Sequence, residues 1–181
     1  MPYIDLQNEL PGIRGLMAYS PATAKPLNEL AEILLRNDEN SLSRGERELI
    51  ATYVSYKNDC FFCQNVHGAL AGYYLRLGIA EIDAIKAGER RQLSRKMQAL
   101  LQIAAAVQQG GKSVTPSHIE AARKAGASDR EIHDTVLIAA AFCMYNRYVD
   151  GLATWAPQDR QFYVERAPQR AAEGYINTPL K

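Results

Sequence analysis

Residues that favour the start or the end of a helix occur at short intervals along the sequence. They constrain its fold more than any other feature. Ser43 with Glu46, and Ser128 with Glu131, have the spacing of capping boxes, in which a serine and a glutamate satisfy the first amides of a helix. Apolar residues recur at helical spacing between these signals, and no segment shows the sustained alternation typical of a strand. The sequence therefore predicts an all-α fold with about six to eight helices.

The helix boundaries also suggest how the chain is organised. Residues 1–25 are rich in proline and glycine and are expected to form an irregular arm. Pro26 has the place of a first helical residue, and a compact helical domain is predicted over 26–156. Residues 157–181 are polar and are expected to be a C-terminal extension, with a short helix near 159–165 and a tail over about the last fifteen residues.

Composition excludes several functional classes. The 181 residues suit one domain, and the formal net charge of +1 favours neither nucleic acid nor a membrane surface as a partner. No apolar stretch reaches the length of about 18 residues that a membrane span needs. The N-terminal segment has no apolar core typical of a secretory signal. We therefore expect a cytoplasmic protein.

Two cysteines and a histidine share one face of a predicted helix. Cys60, Cys63 and His67 are spaced so that their side chains converge near the start of this central helix. Cys60 is expected in the first turn, where the helix dipole favours a thiolate. His67 follows Cys63 by one turn and could take its proton. Such a pair can react with an oxidant and close a disulfide.

Other interpretations of the pair remain open at this point. Two cysteines at this spacing also occur in zinc sites, but structural zinc needs four ligands. The remaining candidates, Cys143, His118 and His133, lie singly on other predicted helices. Cys143 is expected in the core, and the two histidines are expected at the surface. The pair could also be buried and inert. We predict no metal and no cofactor.

The segment SRGERELIATYVSYKNDCFFCQNVH, residues 43–67, carries a family resemblance. It resembles the core motif of the alkyl hydroperoxidase D and carboxymuconolactone decarboxylase superfamily, and the late segment FCMYNRYVDGLATWAP resembles its peroxidase-related branch. The shared pattern is a glutamate, then V-S-x-x-N-x-C-x-x-C, then a histidine. Its chemical positions here are Glu48, Cys60, Cys63 and His67. The resemblance implies the family's all-helical domain over about residues 25–155.

The resemblance also implies a function. It suggests a thiol peroxidase that reduces hydroperoxides, with Cys63 as the peroxidatic sulfur and Cys60 as the resolving one. Glu48 and His67 would form a proton relay. The implied partners are a hydroperoxide substrate, an external dithiol or lipoyl-type reductant, and further copies of the chain in a dimer, trimer or hexamer. Some family members have a second histidine where this chain has Phe62, so any role of that histidine is absent here.

Two further functional classes stay open. One is a non-redox enzyme on the same scaffold, such as a decarboxylase or isomerase of a small organic acid, although the decarboxylase branch generally lacks the cysteine pair. The other is a zinc-binding or structural protein. Asn146, Arg147 and Asp150 share a helix end, and we predict that they form an ion pair and a cap. The alternative is a role in a pocket or an interface.

Overall fold

The computed structural model describes residues 1–176 and shows an all-α protein, which confirms the predicted class. This part of the chain contains nine α-helices, one more than the upper end of the prediction, and no strand. A short 3-10 helix, Gly111–Ser113, lies between α6 and α7. The α-helices are α1 (Ile13–Tyr19), α2 (Pro21–Arg36), α3 (Arg44–Lys57), α4 (Phe61–Leu75), α5 (Ile79–Ala87), α6 (Arg95–Gln109), α7 (Pro116–Lys124), α8 (Asp129–Gly151) and α9 (Gln161–Glu173).

Helices α3 and α4 form a closely packed hairpin. The capping box of Ser43 and Glu46 begins α3 as predicted. Asp59 adopts a left-handed conformation with φ of 58° and separates the two helices. A Cβ atom at Gly45 would lie only 2.7 Å from Cδ2 of Leu75, so the missing side chain allows the two helices to approach closely. This packing fixes the side chains of α3 relative to those of α4.

The main core lies between α3, α6 and α8. Leu49 and Ile50 from α3, Leu100 and Leu101 from α6, and Phe142 from α8 are almost completely buried in it. Burial of each such side chain contributes about 1.5–3 kcal/mol relative to exposure. The core therefore supports the hairpin on one side and leaves the other side of α4 for contacts with the C-terminal helix. No helix in the described part of the chain is long and apolar enough to cross a membrane.

The N-terminal region is more regular than the sequence suggests. Part of the segment expected to be irregular forms α1, and the helix predicted to begin at Pro26 already begins at Pro21. Pro21 takes the first-turn position that suits proline, and Pro26 removes only one hydrogen bond inside the helix. The amide of Gly12 donates to the carbonyl oxygen of Trp155 at 2.9 Å. The division into an arm and a domain stays a prediction.

The C-terminal region also differs from the expected tail. Helix α9 extends well beyond the predicted short helix, although Pro168 lies inside it, and it packs against α4. Its buried side chains are small or aromatic, including Tyr163, Ala167 and Ala171. Polar residues cover its outer face, which explains why the sequence gives a weak signal for a packed helix. The last part of the expected tail, with Pro179, lies outside the described residues.

Candidate active site

The two cysteines of the pair occupy the start of α4. Cys60 is the residue that precedes the helix, and Cys63 lies in its first turn. Both side chains are buried, and neither forms a disulfide. The amide of Cys60 donates to the carbonyl oxygen of Ser55 at 3.0 Å. This hydrogen bond fixes the turn between α3 and α4, so that both sulfurs face the interior.

The expectation of a dipole-favoured thiolate at Cys60 is wrong. Its hydrogen bond with Cys63 and its complete burial raise the pKa of Cys60 well above its ordinary value. The negative charge of Asp150 acts in the same direction. Because desolvation disfavours an anion, position at a helix start does not decide the charge state here. Burial therefore disfavours a thiolate at Cys60.

Glu48 and His67 meet at the interface of α3 and α4. Oε2 of Glu48 lies 2.7 Å from Nδ1 of His67, and both side chains are largely buried. A proton on Nδ1 donates to the carboxylate, which leaves Nε2 as an acceptor. The ring of Phe142 meets the imidazole edge to face, with centroids 4.6 Å apart. The structure therefore brings the two residues of the expected proton relay into direct contact.

Tyr175 joins this pair from the segment that follows α9. Its hydroxyl donates to Oε1 of Glu48 at 2.6 Å, and its ring stacks over His67 with centroids 6.2 Å apart. Burial and the charge of Glu48 raise the pKa of Tyr175 well above its ordinary value, so the hydroxyl keeps the proton that it donates. Tyr175 could not be predicted as a site residue from the sequence, because nothing nearby distinguishes it from other tyrosines of a polar terminus.

Gly174 explains how Tyr175 reaches the site. Its φ of 72° turns the chain at the end of α9. A Cβ atom there would lie 2.6 Å from Oε2 of Glu32, and this same carboxylate oxygen accepts the amide proton of Tyr175 at 2.7 Å. A left-handed conformation in so little space favours glycine. The turn thereby directs the tyrosine towards Glu48.

A cavity of about 120 Å³ opens beside Cys63 and His67. Its lining is largely apolar and aromatic, and it does not include Cys60. One water molecule needs about 10–15 Å³ of such space, so the cavity has room for an organic molecule. Burial raises the pKa of Tyr163, which also lines it, to about 12. That hydroxyl stays protonated and donates to the carbonyl oxygen of Pro157 at 2.8 Å.

The residues at the end of α8 do not form the predicted ion pair and cap. Asn146 is completely buried, and its side chain donates to Oγ of Ser55 at 3.0 Å. Arg147 donates to the carbonyl oxygen of Cys143, and within residues 1–176 no ion pair joins it to Asp150. The carboxyl group of Asp150 instead lies close enough to Cys60 for each group to affect the pKa of the other. Burial of α8 against α3 draws Asn146 inward, which a sequence pattern at a helix end does not reveal.

The remaining cysteine and histidines lie elsewhere. Cys143 is buried in the core as predicted. His118 is half-buried and bonds Thr115 in the cap of α7, whereas His133 is exposed and bonds Asp134. Across the described part of the chain, no three histidine, cysteine or acidic side chains are grouped so that they could hold a metal ion.

The chain resembles one known protein family in sequence and solved structures in fold. The sequence model of the carboxymuconolactone decarboxylase family matches residues 21–72 and 78–156. No curated protein matches the chain. A solved peroxidase-related protein from Silicibacter sp. TM1040, itself uncharacterised, is 25% identical with a TM-score of 0.74, over 83% of this chain and 78% of that one.

A second solved structure shares the fold. It is an uncharacterised peroxidase-related protein from Ralstonia eutropha JMP134, described as an alkylhydroperoxidase AhpD core. It is 24% identical with a TM-score of 0.75, and the match covers 86% of this chain and 80% of that chain. The family model and the two solved structures together confirm the predicted superfamily and its peroxidase-related branch.

Proposed function

The chain belongs to the carboxymuconolactone decarboxylase family, and we propose that it is a thiol peroxidase that reduces hydroperoxides with Cys63 and Cys60. One observation carries the proposal. Cys63 and His67 line the same cavity, and His67 bonds the buried carboxylate of Glu48 at 2.7 Å. A sulfur, a base and a charge that orients the base are thus placed together where an organic molecule fits.

The proposed reaction has two chemical steps. The thiolate of Cys63 attacks the outer oxygen of the hydroperoxide, the O–O bond breaks, and Cys63 becomes a sulfenic acid while the leaving alkoxide takes a proton to form an alcohol. The sulfur of Cys60 then attacks the sulfenic sulfur. A disulfide forms and the hydroxyl leaves as water, which carries away the proton of Cys60.

The roles of the two sulfurs follow from their different surroundings. Cys63 faces the cavity and has His67 as its neighbour along the helix. Cys60 is fully buried, and its interaction with Cys63 together with this burial raises its pKa above the ordinary value. This arrangement supports Cys63 as the attacking sulfur and Cys60 as the resolving one. His67, with Nδ1 bonded to Glu48, is suited to take the proton of Cys63 on Nε2 and to return it to the leaving oxygen.

The catalytic cycle needs an external reductant and a means of reaching the disulfide. An external dithiol, such as a lipoyl group, would reduce the disulfide and become oxidised to its own disulfide.

We also propose that the chain works in the cytoplasm as a homo-oligomer. Exposed aromatic and aliphatic side chains such as Tyr19, Ile33 and Trp155 support assembly with further copies, which light scattering of the purified protein would measure.

Peroxide turnover with a small dithiol tests the proposal. The parent protein is expected to consume cumene hydroperoxide with dithiothreitol as the reductant, and Cys63→Ser is expected to lose at least about a thousandfold in kcat/KM. Cys143→Ser is the matched control, because it removes a buried thiol that lies outside the cavity. Equal turnover by Cys63→Ser and the parent would overturn the proposal. It would favour a non-redox enzyme on the same scaffold.

A further inference from the structure

Asp150 lies in the last turn of α8, next to the turn that joins α3 to α4. Two hydrogen bonds hold α8 against that turn. The side chain of Asn58 donates to Oδ1 of Asn146 at 2.8 Å, and the side chain of Asn146 donates to Oγ of Ser55 at 3.0 Å. Asp150 follows Asn146 by four residues and so shares its face of the helix. This face is turned towards the start of α4, where Cys60 lies.

The packing of this end of α8 brings Asp150 beside Cys60. Val149, the residue before it, is buried in the same cluster of side chains as Cys60 and Cys63. The carboxyl group and the Cys60 thiol are close enough for each to affect the pKa of the other. The carboxyl group is exposed, whereas the thiol is completely buried. Asp150 therefore offers the proton of this buried sulfur a way to the solvent.

The second step of the proposed reaction needs a group in this place. Cys60 must lose a proton when its sulfur attacks Cys63, and its raised pKa disfavours the free thiolate. A general base overcomes this by taking the proton while the new bond forms. His67 lines the cavity, which does not include Cys60, and is bonded to Glu48. A base for Cys60 is therefore best placed on the side of α8.

From this juxtaposition we propose that Asp150 is the proton acceptor for Cys60 in the resolving step. As the sulfur of Cys60 bonds to that of Cys63, its S–H bond breaks and the proton moves to the carboxylate, directly or through one water molecule. The S–O bond of Cys63 breaks, and its electron pair leaves with hydroxide, which takes a proton from solvent. Asp150 returns its proton to solvent, so the sum is one disulfide and one water. The inference rests on the proposed function, to which it adds a residue of α8.

The surroundings of Asp150 suit a base. Desolvation is the main cause that raises the pKa of its carboxyl group, and the negative charge of Asp59 acts in the same direction. The last turn of a helix also disfavours a negative charge, because its free carbonyl groups point there. A carboxylate with a raised pKa holds a proton more strongly than an ordinary one and is the better base.

The other polar groups near the pair have different tasks. Burial and the charges of both sulfurs raise the pKa of Tyr163 to about 12, so this hydroxyl stays protonated and does not accept the proton. Arg147, one turn before Asp150 on α8, donates to the carbonyl oxygen of Cys143 at 3.0 Å. Neither replaces a carboxylate as a base.

Rapid mixing with one equivalent of cumene hydroperoxide tests the role of Asp150. Acid quenching at successive times, followed by mass spectrometry, distinguishes the sulfenic acid from the disulfide. We expect Asp150→Asn to slow the conversion of sulfenic acid to disulfide about tenfold and to leave formation of the sulfenic acid unchanged. Asp150→Glu should keep most of the parent rate. Asp59→Asn is the matched control, because it removes an exposed charge nearby and asparagine suits the left-handed conformation there.

The pH dependence of this conversion separates proton transfer from a structural role. In the parent, the rate should rise through the pKa of Asp150 and then stay level, because the ionised carboxylate acts as the base. In Asp150→Asn, the rate should instead rise about tenfold per pH unit through the neutral range, because only the free thiolate of Cys60 then attacks. The same profile in both proteins, or faster conversion in Asp150→Asn, would overturn the inference.

A disulfide reagent separates failure of this inference from failure of the proposed function. 2,2′-Dipyridyl disulfide forms a mixed disulfide with Cys63 and releases one pyridine-2-thione, and attack by Cys60 releases a second, so that absorbance follows both steps. The second release should be slower in Asp150→Asn. Such slowing without any peroxide reduction by the parent would support Asp150 as the base and overturn the peroxidase. A sulfenic acid that the parent and Asp150→Asn resolve equally fast would overturn the inference and leave the peroxidase intact.

Discussion

The two sulfurs of the pair lie three residues apart but in different regions of the molecule. Cys60 lies on the closed side, where it is completely buried and has Asp150 as a neighbour. Cys63 lies on the open side, where it shares a cavity with His67. The first region disfavours ionisation of a thiol, and the second holds an imidazole and space for an organic molecule. Two identical side chains thus have different surroundings, and this difference is the basis of the two roles that we propose for them.

Removal of Cys60 should affect turnover more than any other change on the closed side. Cys60→Ser cannot close the disulfide, and we expect steady-state turnover with dithiothreitol to fall at least about a hundredfold. Reduction of the first equivalent of peroxide should survive, because Cys63 and its cavity are unchanged. Stopped-flow measurement of peroxide consumption separates the two phases. Full steady-state turnover by Cys60→Ser would show that Cys60 does not resolve the oxidised sulfur.

On the open side, we expect turnover to depend on the carboxylate of Glu48. Glu48→Gln keeps the shape of the side chain but removes the charge that orients and stabilises the imidazole. We expect kcat/KM for cumene hydroperoxide to fall about a hundredfold, as is typical for loss of acid–base catalysis. Glu46→Gln is the matched control on the same helix, since glutamine can still serve in a capping box. Equal effects of the two substitutions would remove Glu48 from the relay.

Tyr175 should have a smaller effect on the same side. Tyr175→Phe removes the hydrogen bond to Glu48, and we expect kcat/KM to fall about three- to tenfold. The acid limb of the pH profile should also move to higher pH, because a carboxylate with one donor fewer holds the protonated imidazole more strongly. Tyr163→Phe, which removes another hydroxyl from the cavity wall, should leave the pH profile in place. An unchanged profile in Tyr175→Phe would leave the tyrosine a purely structural role.

The smallest expected effect concerns stability and lies on the closed side, at Asp150. Partial desolvation is the main cause that raises the pKa of this exposed carboxyl above the ordinary value, so its ionisation costs the folded state more than the unfolded one. This cost is absent at a pH below the ordinary pKa of an aspartate, where the carboxyl is protonated in both the folded and the unfolded state. It appears as the pH rises and is complete above the raised pKa. Because the side chain is exposed, the effect is less than about 1 kcal/mol.

Thermal melting across pH measures this effect. Asp150→Asn should melt slightly above the parent at pH 7, and the difference should vanish near pH 3. Glu89→Gln removes one acidic charge from another exposed position and should not show this dependence. A lower melting temperature for Asp150→Asn at pH 7 would mean that the ionised carboxylate stabilises the fold.

The α3–α4 hairpin could be predicted from the sequence almost completely. Its signals are local: a capping box at Ser43, a break at Asn58 and Asp59, and a spacing that puts Cys63 and His67 on one face. The charge state of Cys60 could not be predicted, because burial against other helices decides it. Tyr175 lies far along the chain from Glu48, and only the turn at Gly174 brings the two together. The inward position of Asn146 likewise depends on the packing of α8 on α3.

Chemical trapping of the oxidised sulfur tests the central claim most directly. Cys60→Ser and Cys63→Ser would each be reduced and given one equivalent of cumene hydroperoxide in the presence of dimedone, which reacts with sulfenic acids, and adducts would be mapped by mass spectrometry. We expect a rapid adduct at Cys63 in Cys60→Ser and little or none at Cys60 in Cys63→Ser. An adduct at Cys60 that forms as fast as the one at Cys63, or faster, would contradict this claim.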